Sequence, residues 1–135
     1  FTEMNEQLAL GSWRIGFYDE KSDKIATFVV DSQVFYEPLA EAFKEPGALP
    51  ALDFKSVKLS ADEARDTVLA LQKEKYIQHL AQKGLLILQD MGHGAVWNVT
   101  LLTRTFAALN VKVNAATGEI VGHQLLTFFD LKEKT

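Results

Sequence analysis

The sequence predicts an α+β fold, in which an antiparallel β-sheet meander is packed on one face by one long helix and one or two short helices. Three observations support this prediction. Apolar residues alternate with polar ones in short stretches separated by turns, which is typical of strands that pair with their chain neighbours. One amphipathic stretch has a complete helix start. The 135 residues are 47% apolar and 24% charged, the usual mixture for one compact domain.

The N-terminal stretch predicts a short helix followed by a β-hairpin. Residues 1–10 (FTEMNEQLAL) are interpreted as a helical piece that Gly11 closes. A strand follows, because every second residue is apolar and these residues share one face: Trp13, Ile15 and Phe17. The polar residues 19–24 form the turn, and residues 25–30 (IATFVV) are the returning strand, because they are rich in β-branched and aromatic side chains.

A second short helix is predicted over residues 36–44 (YEPLAEAFK). Pro38 would lie in its first turn, where the missing N–H group costs little. Residues 45–50 (EPGALP) hold two prolines and a glycine, so they are the best candidate for a linker. The chain is therefore divided into residues 1–50, a hairpin plus a short helix, and residues 51–135, which form the second unit of one compact domain.

The clearest helix start in the sequence is at Ser60. Its hydroxyl can accept a hydrogen bond from a free backbone N–H, and Glu63 stands at the position of a capping box. An apolar stripe then runs to about Gln82, and Gly84 is the predicted stop. A helix of this pattern lies on a sheet or on another helix.

Strands and short turns follow the long helix. Residues 85–89 predict a buried strand, residues 96–102 and 109–113 alternate, and residues 119–129 return as a long strand after a turn at residues 114–118 (NAATG). Short turns between successive strands imply antiparallel pairing.

Charge and composition narrow the function classes. The chain carries a formal charge of −4 and has no basic block, which argues against nucleic acid as its main partner. It has no cysteine, so a disulfide, a thiolate nucleophile and a Cys-ligated zinc are excluded. No apolar run approaches the roughly 20 residues of a membrane helix. A signal peptide or anchor before Phe1 stays open, so any membrane attachment would come from a segment outside this chain.

The sequence predicts no catalytic residue, metal ligand or cofactor. The three histidines lack ligand spacing, and no nucleophile or phosphate-binding motif is present. The weak candidates for ligand binding are Asp90 and His93 in a glycine-flanked loop, Trp97 at a strand start, and Tyr76 on the long helix. The alternative for the loop is a tight strand connection with a solvated histidine. The alternative for Trp97 is a structural position in the hydrophobic core.

Three segments carry a resemblance to a known family. They are Ser60-Ala61-Asp62-Glu63-Ala64 at the helix start, Trp97-Asn98-Val99 at a strand start, and residues 111–121 (VKVNAATGEIV). Residues 56–130 resemble the PepSY domain family in these motifs, although position 114 is Asn where the family usually has Asp. The resemblance implies a non-catalytic binding or regulatory module outside the cytoplasm, with a protein or peptide partner such as a peptidase.

The first half of the chain repeats residue patterns of the second half. Trp13-Arg14-Ile15 parallels Trp97-Asn98-Val99, and residues 18–25 parallel residues 113–120. Residues 1–50 are therefore an abbreviated PepSY-like repeat, or else two hairpins share common turn chemistry.

Two other functions compete with the binding module. The first is a small-molecule or lipid carrier, with a pocket between helix and sheet. Its predicted lining is Leu69, Tyr76, Leu80, Trp97 and Phe128. The second is a hydrolase or other enzyme that uses Asp90, His93 and a carboxylate, and it ranks last.

Overall fold

The computed structural model of the chain describes residues 1–41 and 51–127. Within these ranges the chain forms eight strands, one α-helix and one 3-10 turn. The strands are β1 (Thr2–Met4), β2 (Leu10–Asp19), β3 (Lys24–Val30), β4 (Val34–Glu41), β5 (Ala81–Asp90), β6 (Ala95–Thr103), β7 (Ala107–Asn114) and β8 (Ile120–Thr127). The helix α1 spans Ala61–Lys75, and the 3-10 turn spans Phe54–Ser56.

All eight strands belong to one antiparallel sheet with the order β4-β3-β2-β1-β5-β6-β7-β8. Each half of the chain forms a meander that runs outward from the middle of the sheet. The two meanders meet where β1 pairs with β5, with Thr2 opposite Leu86 and Met4 opposite Gly84. The sheet therefore has β4 at one edge and β8 at the other, and the first half of the chain extends it sideways.

The prediction of an α+β fold with one long and one or two short helices is wrong. The described residues contain a single α-helix against eight strands, so the fold is mostly β. The antiparallel pairing of chain neighbours is present. The error lies in the two stretches interpreted as short helices.

Residues 1–10 do not form a helix. Thr2 and Met4 are buried while Glu3 is exposed, which is the alternation of a strand. The carboxamide of Asn5 then accepts hydrogen bonds from the N–H groups of Gln7 (2.9 Å) and Ala9 (3.0 Å), so it forms the turn that leads into β2. A strand of three residues is too short for its period to be recognised in the sequence.

Residues 36–41 continue β4 instead of starting a helix. Thr27 pairs with Glu37 and Ile25 with Ala40, so Pro38 and Leu39 lie together opposite one residue of β3. This is a β-bulge in an edge strand, one of the few places in a sheet where proline is tolerated. The remainder of the predicted helix, residues 42–44, and the predicted linker over residues 45–50 lie outside the described residues.

The long helix begins where predicted and ends earlier. The hydroxyl of Ser60 accepts a hydrogen bond from the N–H of Glu63 at 3.1 Å, which confirms the N-cap. The helix ends at Lys75 because the buried side chain of Gln72 donates to the carbonyls of Tyr76 (3.1 Å) and His79 (2.9 Å) and so holds the chain in a turn.

Gly84 is not the stop of the helix. It lies inside β5 opposite Leu101 of β6. A Cβ atom at this position would lie 2.8 Å from the carbonyl oxygen of Thr100 and 3.0 Å from Cε of Met4. Glycine is therefore required by the close approach of the neighbouring chain segments and not by a helix end.

The turn over residues 114–118 is confirmed between β7 and β8. The carboxamide of Asn114 accepts hydrogen bonds from the N–H groups of Ala116 (2.8 Å) and Thr117 (3.1 Å). Gly118 has φ of 81°, which glycine adopts without strain. The last strand is described to Thr127, so the end of the predicted strand, residues 128–129, lies outside the described residues.

The core lies between α1 and the second meander. Every second residue of β6 and β7 is buried, which is the pattern of strands with one covered face. The helix lies over β5 and β6 and contributes three apolar side chains to this core. They are Ala64, Val68 and Leu71.

Candidate functional site

The three strands β2, β3 and β4, called here the extension, carry an apolar face on the side of the sheet where α1 lies. Cross-strand pairs share one face of a sheet, so the register assigns its members: Trp13 lies opposite Val30, Ile15 opposite Phe28, and Phe28 opposite Tyr36. We call the outer part of this surface the aromatic face. It consists of Ile15, Phe17, Phe28, Val34 and Tyr36.

The aromatic face is open to solvent. Phe17 is 58% exposed, Val34 64% and Tyr36 57%. Phe28 lies between its neighbours and is partly buried by them. Its ring contacts that of Phe17 with centroids 5.7 Å apart and an interplanar angle of 83°, and that of Tyr36 at 5.4 Å and 55°. This aromatic row is a candidate interaction surface, because exposed apolar patches on proteins are often used for binding.

The aromatic face reaches the edge of the sheet. β4 is the terminal strand of the sheet order, and within the described ranges no strand lies on its outer side. An edge strand presents backbone N–H and C=O groups that can pair with another extended segment. Phe35, which points to the opposite face, is also exposed. The outer side of β4, called here the β4 edge, therefore offers both backbone pairing and apolar contact.

The extension is acidic. Residues 10–41 contain six carboxylate residues and three cationic ones, a formal charge of −3 out of −4 for the whole chain. The carboxylates are Asp19, Glu20, Asp23, Asp31, Glu37 and Glu41, and the cations are Arg14, Lys21 and Lys24. The aromatic face therefore lies in an acidic surrounding.

Glu37 is one of the carboxylate residues on the edge strand itself. Glu37 lies on the face opposite to the aromatic face, and its Oε1 atom is 3.4 Å from Nε of Arg14. The side chain of Glu37 remains 46% exposed, so its carboxylate can accept a second cation. The ion pair is too solvated to contribute much to stability.

A second carboxylate lies at the tip of the β2–β3 hairpin. Asp19 accepts hydrogen bonds from the hydroxyl of Ser22 (2.8 Å) and the N–H of Lys21 (3.1 Å). These bonds, first that of the Ser22 hydroxyl, lower the pKa of Asp19 because they stabilise the ionised form. The charge of the hairpin tip therefore persists to lower pH than that of an ordinary aspartate.

The structure places Trp97 in the core. It is 3% exposed, and its indole N–H donates to the carbonyl of Leu59 at 2.9 Å. Its ring meets that of Trp13 at 6.0 Å with an angle of 61°. Tyr76 lies elsewhere, with its hydroxyl 2.6 Å from Nδ1 of His123 on β8. These contacts give both residues structural roles.

Asp90 and His93 lie in the hairpin between β5 and β6. The carboxylate of Asp90 accepts a 2.7 Å hydrogen bond from the N–H of Gly92, so it stabilises its own turn. Gly92 and Gly94 have φ of 95° and 105°, which shows that the glycines serve the tight connection, and His93 is exposed. Among the described residues no group of three or more His, Asp or Glu side chains is arranged to hold a metal ion.

Among the described residues, the structure brings together two of those predicted to line a carrier pocket, Leu69 and Leu80. A cleft of about 250 Å³ beside the C-terminal end of α1 includes Leu69 and Leu80, together with Gln72, Lys73 and Arg104. Trp97 and Tyr76 make the contacts described above, and Phe128 lies outside the described residues.

Sequence reasoning found part of the aromatic face and missed the rest. The alternation of Trp13, Ile15 and Phe17 predicted their common face, which the register confirms. The sequence assigns Val34 to no element and places Tyr36 in a predicted helix over residues 36–44, so neither is predicted to belong to the face. The signal that could have found them is the run of Val34, Phe35 and Tyr36, three residue types with high β propensity directly before Pro38.

Comparison with known proteins gives no relative. No family model, no curated protein and no solved structure matches the chain. Among the described residues, no helix has the length and apolar character needed to cross a membrane.

Proposed function

We propose that this protein is a non-catalytic binding module that takes an extended segment of a partner protein beside β4. The observation that carries the proposal is the coincidence of an edge strand with an exposed aromatic row, Phe17, Phe28 and Tyr36, on the same three strands. In this mode of binding, backbone hydrogen bonds supply affinity, and alternate side chains of the added strand supply specificity.

The apolar contact between Tyr36 and an added segment is large enough to contribute to the binding free energy. A fully exposed aromatic side chain presents about 150–250 Å², and Tyr36 is 57% exposed. Covering it would remove on the order of 100 Å² from water, which is worth roughly 2–3 kcal/mol before the entropy of ordering the segment is subtracted. Val34 and Phe35 on the same strand would add to this. A short segment can therefore bind without a deep pocket.

The resemblance to the PepSY domain family supports a more specific version of the proposal. In that version the partner is a peptidase, which the module binds or inhibits, and the module acts outside the cytoplasm. The shared motifs around Ser60 and Asn114 form the helix cap and a hairpin turn, so they support the scaffold, and the β4 edge supplies the contact. The carrier function has less support, because Trp97 packs into the core instead of lining a cavity.

The test is a selection of displayed random peptides of about eight residues on the intact chain, followed by titration of the recovered peptides. We expect peptides whose binding protects the β4 amides from hydrogen exchange. Replacing Tyr36 by Ser should weaken binding about tenfold or more. Val121→Ser is the matched control, since Val121 is also 57% exposed but lies on β8 at the other edge.

Two results would overturn the proposal. One is a failure to recover any peptide that binds. The other is binding that Tyr36→Ser leaves unchanged, or that protects amides elsewhere in the sheet. Both variants change exposed side chains, so thermal unfolding should show that each is folded before its affinity is compared.

A further inference from the structure

The charge distribution around the β4 edge identifies the chemistry of the segment that it would accept. The extension carries three quarters of the formal charge of the chain, and its carboxylates lie at both ends of the edge strand as well as on it. Asp31 is in the β3–β4 turn, Glu37 and Glu41 are on β4, and Asp19, at the hairpin tip, is separated from the far end of β4 by Lys24 of β3. A segment laid along β4 therefore passes through a field of negative potential.

We infer that the β4 edge selects a cationic extended segment in which apolar residues alternate with Lys or Arg. This inference rests on the proposed function, because it names the partner class of the same edge. The alternation follows from the strand geometry. Side chains of an added strand that lie next to Val34 and Tyr36 are on the aromatic face, whereas the ones between them are on the face of Phe35 and Glu37.

The two faces of the sheet favour different side chains on the added strand. On the aromatic face an apolar side chain covers exposed aromatic and aliphatic surface, since Val34 and Tyr36 are both more than half exposed. On the other face a cationic side chain can pair with the exposed carboxylate of Glu37 and lie over the exposed ring of Phe35. An anionic side chain at the same place would be repelled by Glu37.

The length of the segment is limited at one end by Pro38. Proline has no N–H group, and the bulge at Pro38 and Leu39 breaks the regular pairing of β4. The regular part of the edge runs from Val34 to Glu37, so the recognised core of the segment is about four residues long. The β4 edge therefore recognises two apolar and two cationic residues in such a core.

A second copy of this chain is a poorer occupant. Pairing β4 with β4 of another copy would bring two extensions together, each with a formal charge of −3. Their repulsion is reduced by salt but not removed at the short distances of a strand pair. A basic partner is attracted by the same negative charges.

The experiment uses three synthetic peptides of about eight residues in which valine alternates with lysine, glutamate or threonine. Each is titrated against the intact chain at about 20 mM and about 200 mM salt. We expect the lysine peptide to bind at least about tenfold more tightly than the glutamate peptide, with the difference shrinking at high salt. Glu37→Gln should reduce the preference for lysine. The control is Glu119→Gln, which removes an exposed carboxylate next to β8 and should leave the preference unchanged.

The other outcomes show whether this inference alone fails or the proposed function fails with it. Equal binding of all three peptides, lost with Tyr36→Ser, would overturn the charge preference while leaving strand addition in place. A scrambled lysine peptide that binds as tightly as the alternating one would overturn the alternation. No binding of any peptide would overturn both, and a concentration-dependent dimer whose β4 amides are protected would replace the basic partner by a second copy.

Discussion

The ring of Trp13 on β2 meets the ring of Trp97 on β6 edge to face, with centroids 6.0 Å apart and an interplanar angle of 61°. The contact joins the extension to the part of the sheet beneath α1. Trp97 is in turn tied to the segment before the helix, because its indole N–H donates to the carbonyl of Leu59 at 2.9 Å. One buried residue therefore holds the sheet, the extension and the helix entry in a fixed relation.

The first prediction concerns this residue. Trp97→Phe should lower the free energy of unfolding by about 2–3 kcal/mol, because it leaves the carbonyl of Leu59 without its donor and leaves a void in the core. Urea unfolding followed by fluorescence of the remaining Trp13 measures the change.

Trp13→Phe is the control for this experiment. Trp13 is only partly buried, and the substitution keeps the bond between Trp97 and Leu59. Its cost should be about 1 kcal/mol. Equal losses for the two variants would contradict the central role assigned to Trp97.

The second prediction concerns the close approach of two strands at Gly84. Gly84→Ala places a Cβ atom 2.8 Å from the carbonyl oxygen of Thr100 and 3.0 Å from Cε of Met4. The Met4 side chain can move but the backbone carbonyl cannot move freely, so the substitution should destabilise the fold by about 1–3 kcal/mol. Thermal unfolding measures the loss.

A second glycine provides a matched control. Gly122 also lies in a strand, β8, and a Cβ atom there would meet nothing within 4 Å. Gly122→Ala should be neutral or slightly stabilising, since alanine restricts the unfolded chain more than glycine does. If both glycine variants unfold alike, the contact at Thr100 is not what requires Gly84.

The parts of the fold that the sequence predicts are those decided by neighbouring residues. The cap at Ser60 and the turn at Asn114 are made by side chains that bond to backbone groups two or three residues away. Such bonds depend little on the remainder of the fold, so their residue pattern is sufficient to predict them.

The errors arise where the structure depends on contacts that local propensity does not reveal. Pro38 suits the first turn of a helix as well as a bulge in an edge strand, and only the pairing with β3 selects the second. The helix ends at Lys75 because the side chain of Gln72 donates hydrogen bonds to the chain that follows. The sequence contains no glycine or proline at this point that would predict the end. Tertiary pairing decides the structure at Pro38, whereas at Gln72 the deciding bonds are local, to carbonyls four and seven residues ahead.

The candidate site could be predicted only in part. A period of two assigns Ile15 and Phe17 to one face of a strand, but it does not show whether another element covers that face. Their exposure follows from the position of the helix over β5 and β6, at a distance along the sheet from β3 and β4. This is a property of the assembled sheet.

The last prediction concerns the charge of the hairpin tip. The Ser22 hydroxyl, with the N–H of Lys21, lowers the pKa of Asp19. Because the lowered pKa belongs to the folded state, the stabilisation from these bonds is present at neutral pH and is lost as the pH falls from the ordinary value of an aspartate through the lowered one. Ser22→Ala should therefore raise the pKa of Asp19 toward its ordinary value.

Carboxyl-carbon NMR across about pH 2 to 6 measures this titration directly. Ser32→Ala is the control, because Ser32 is an exposed serine in the neighbouring β3–β4 turn and is not among the groups that lower the pKa of Asp19. We expect the control to titrate as the unmodified chain does. An unchanged midpoint for Asp19 in Ser22→Ala would show that the hydroxyl does not stabilise the carboxylate, and the backbone N–H groups of Lys21 and Ser22 would then account for the lowered pKa.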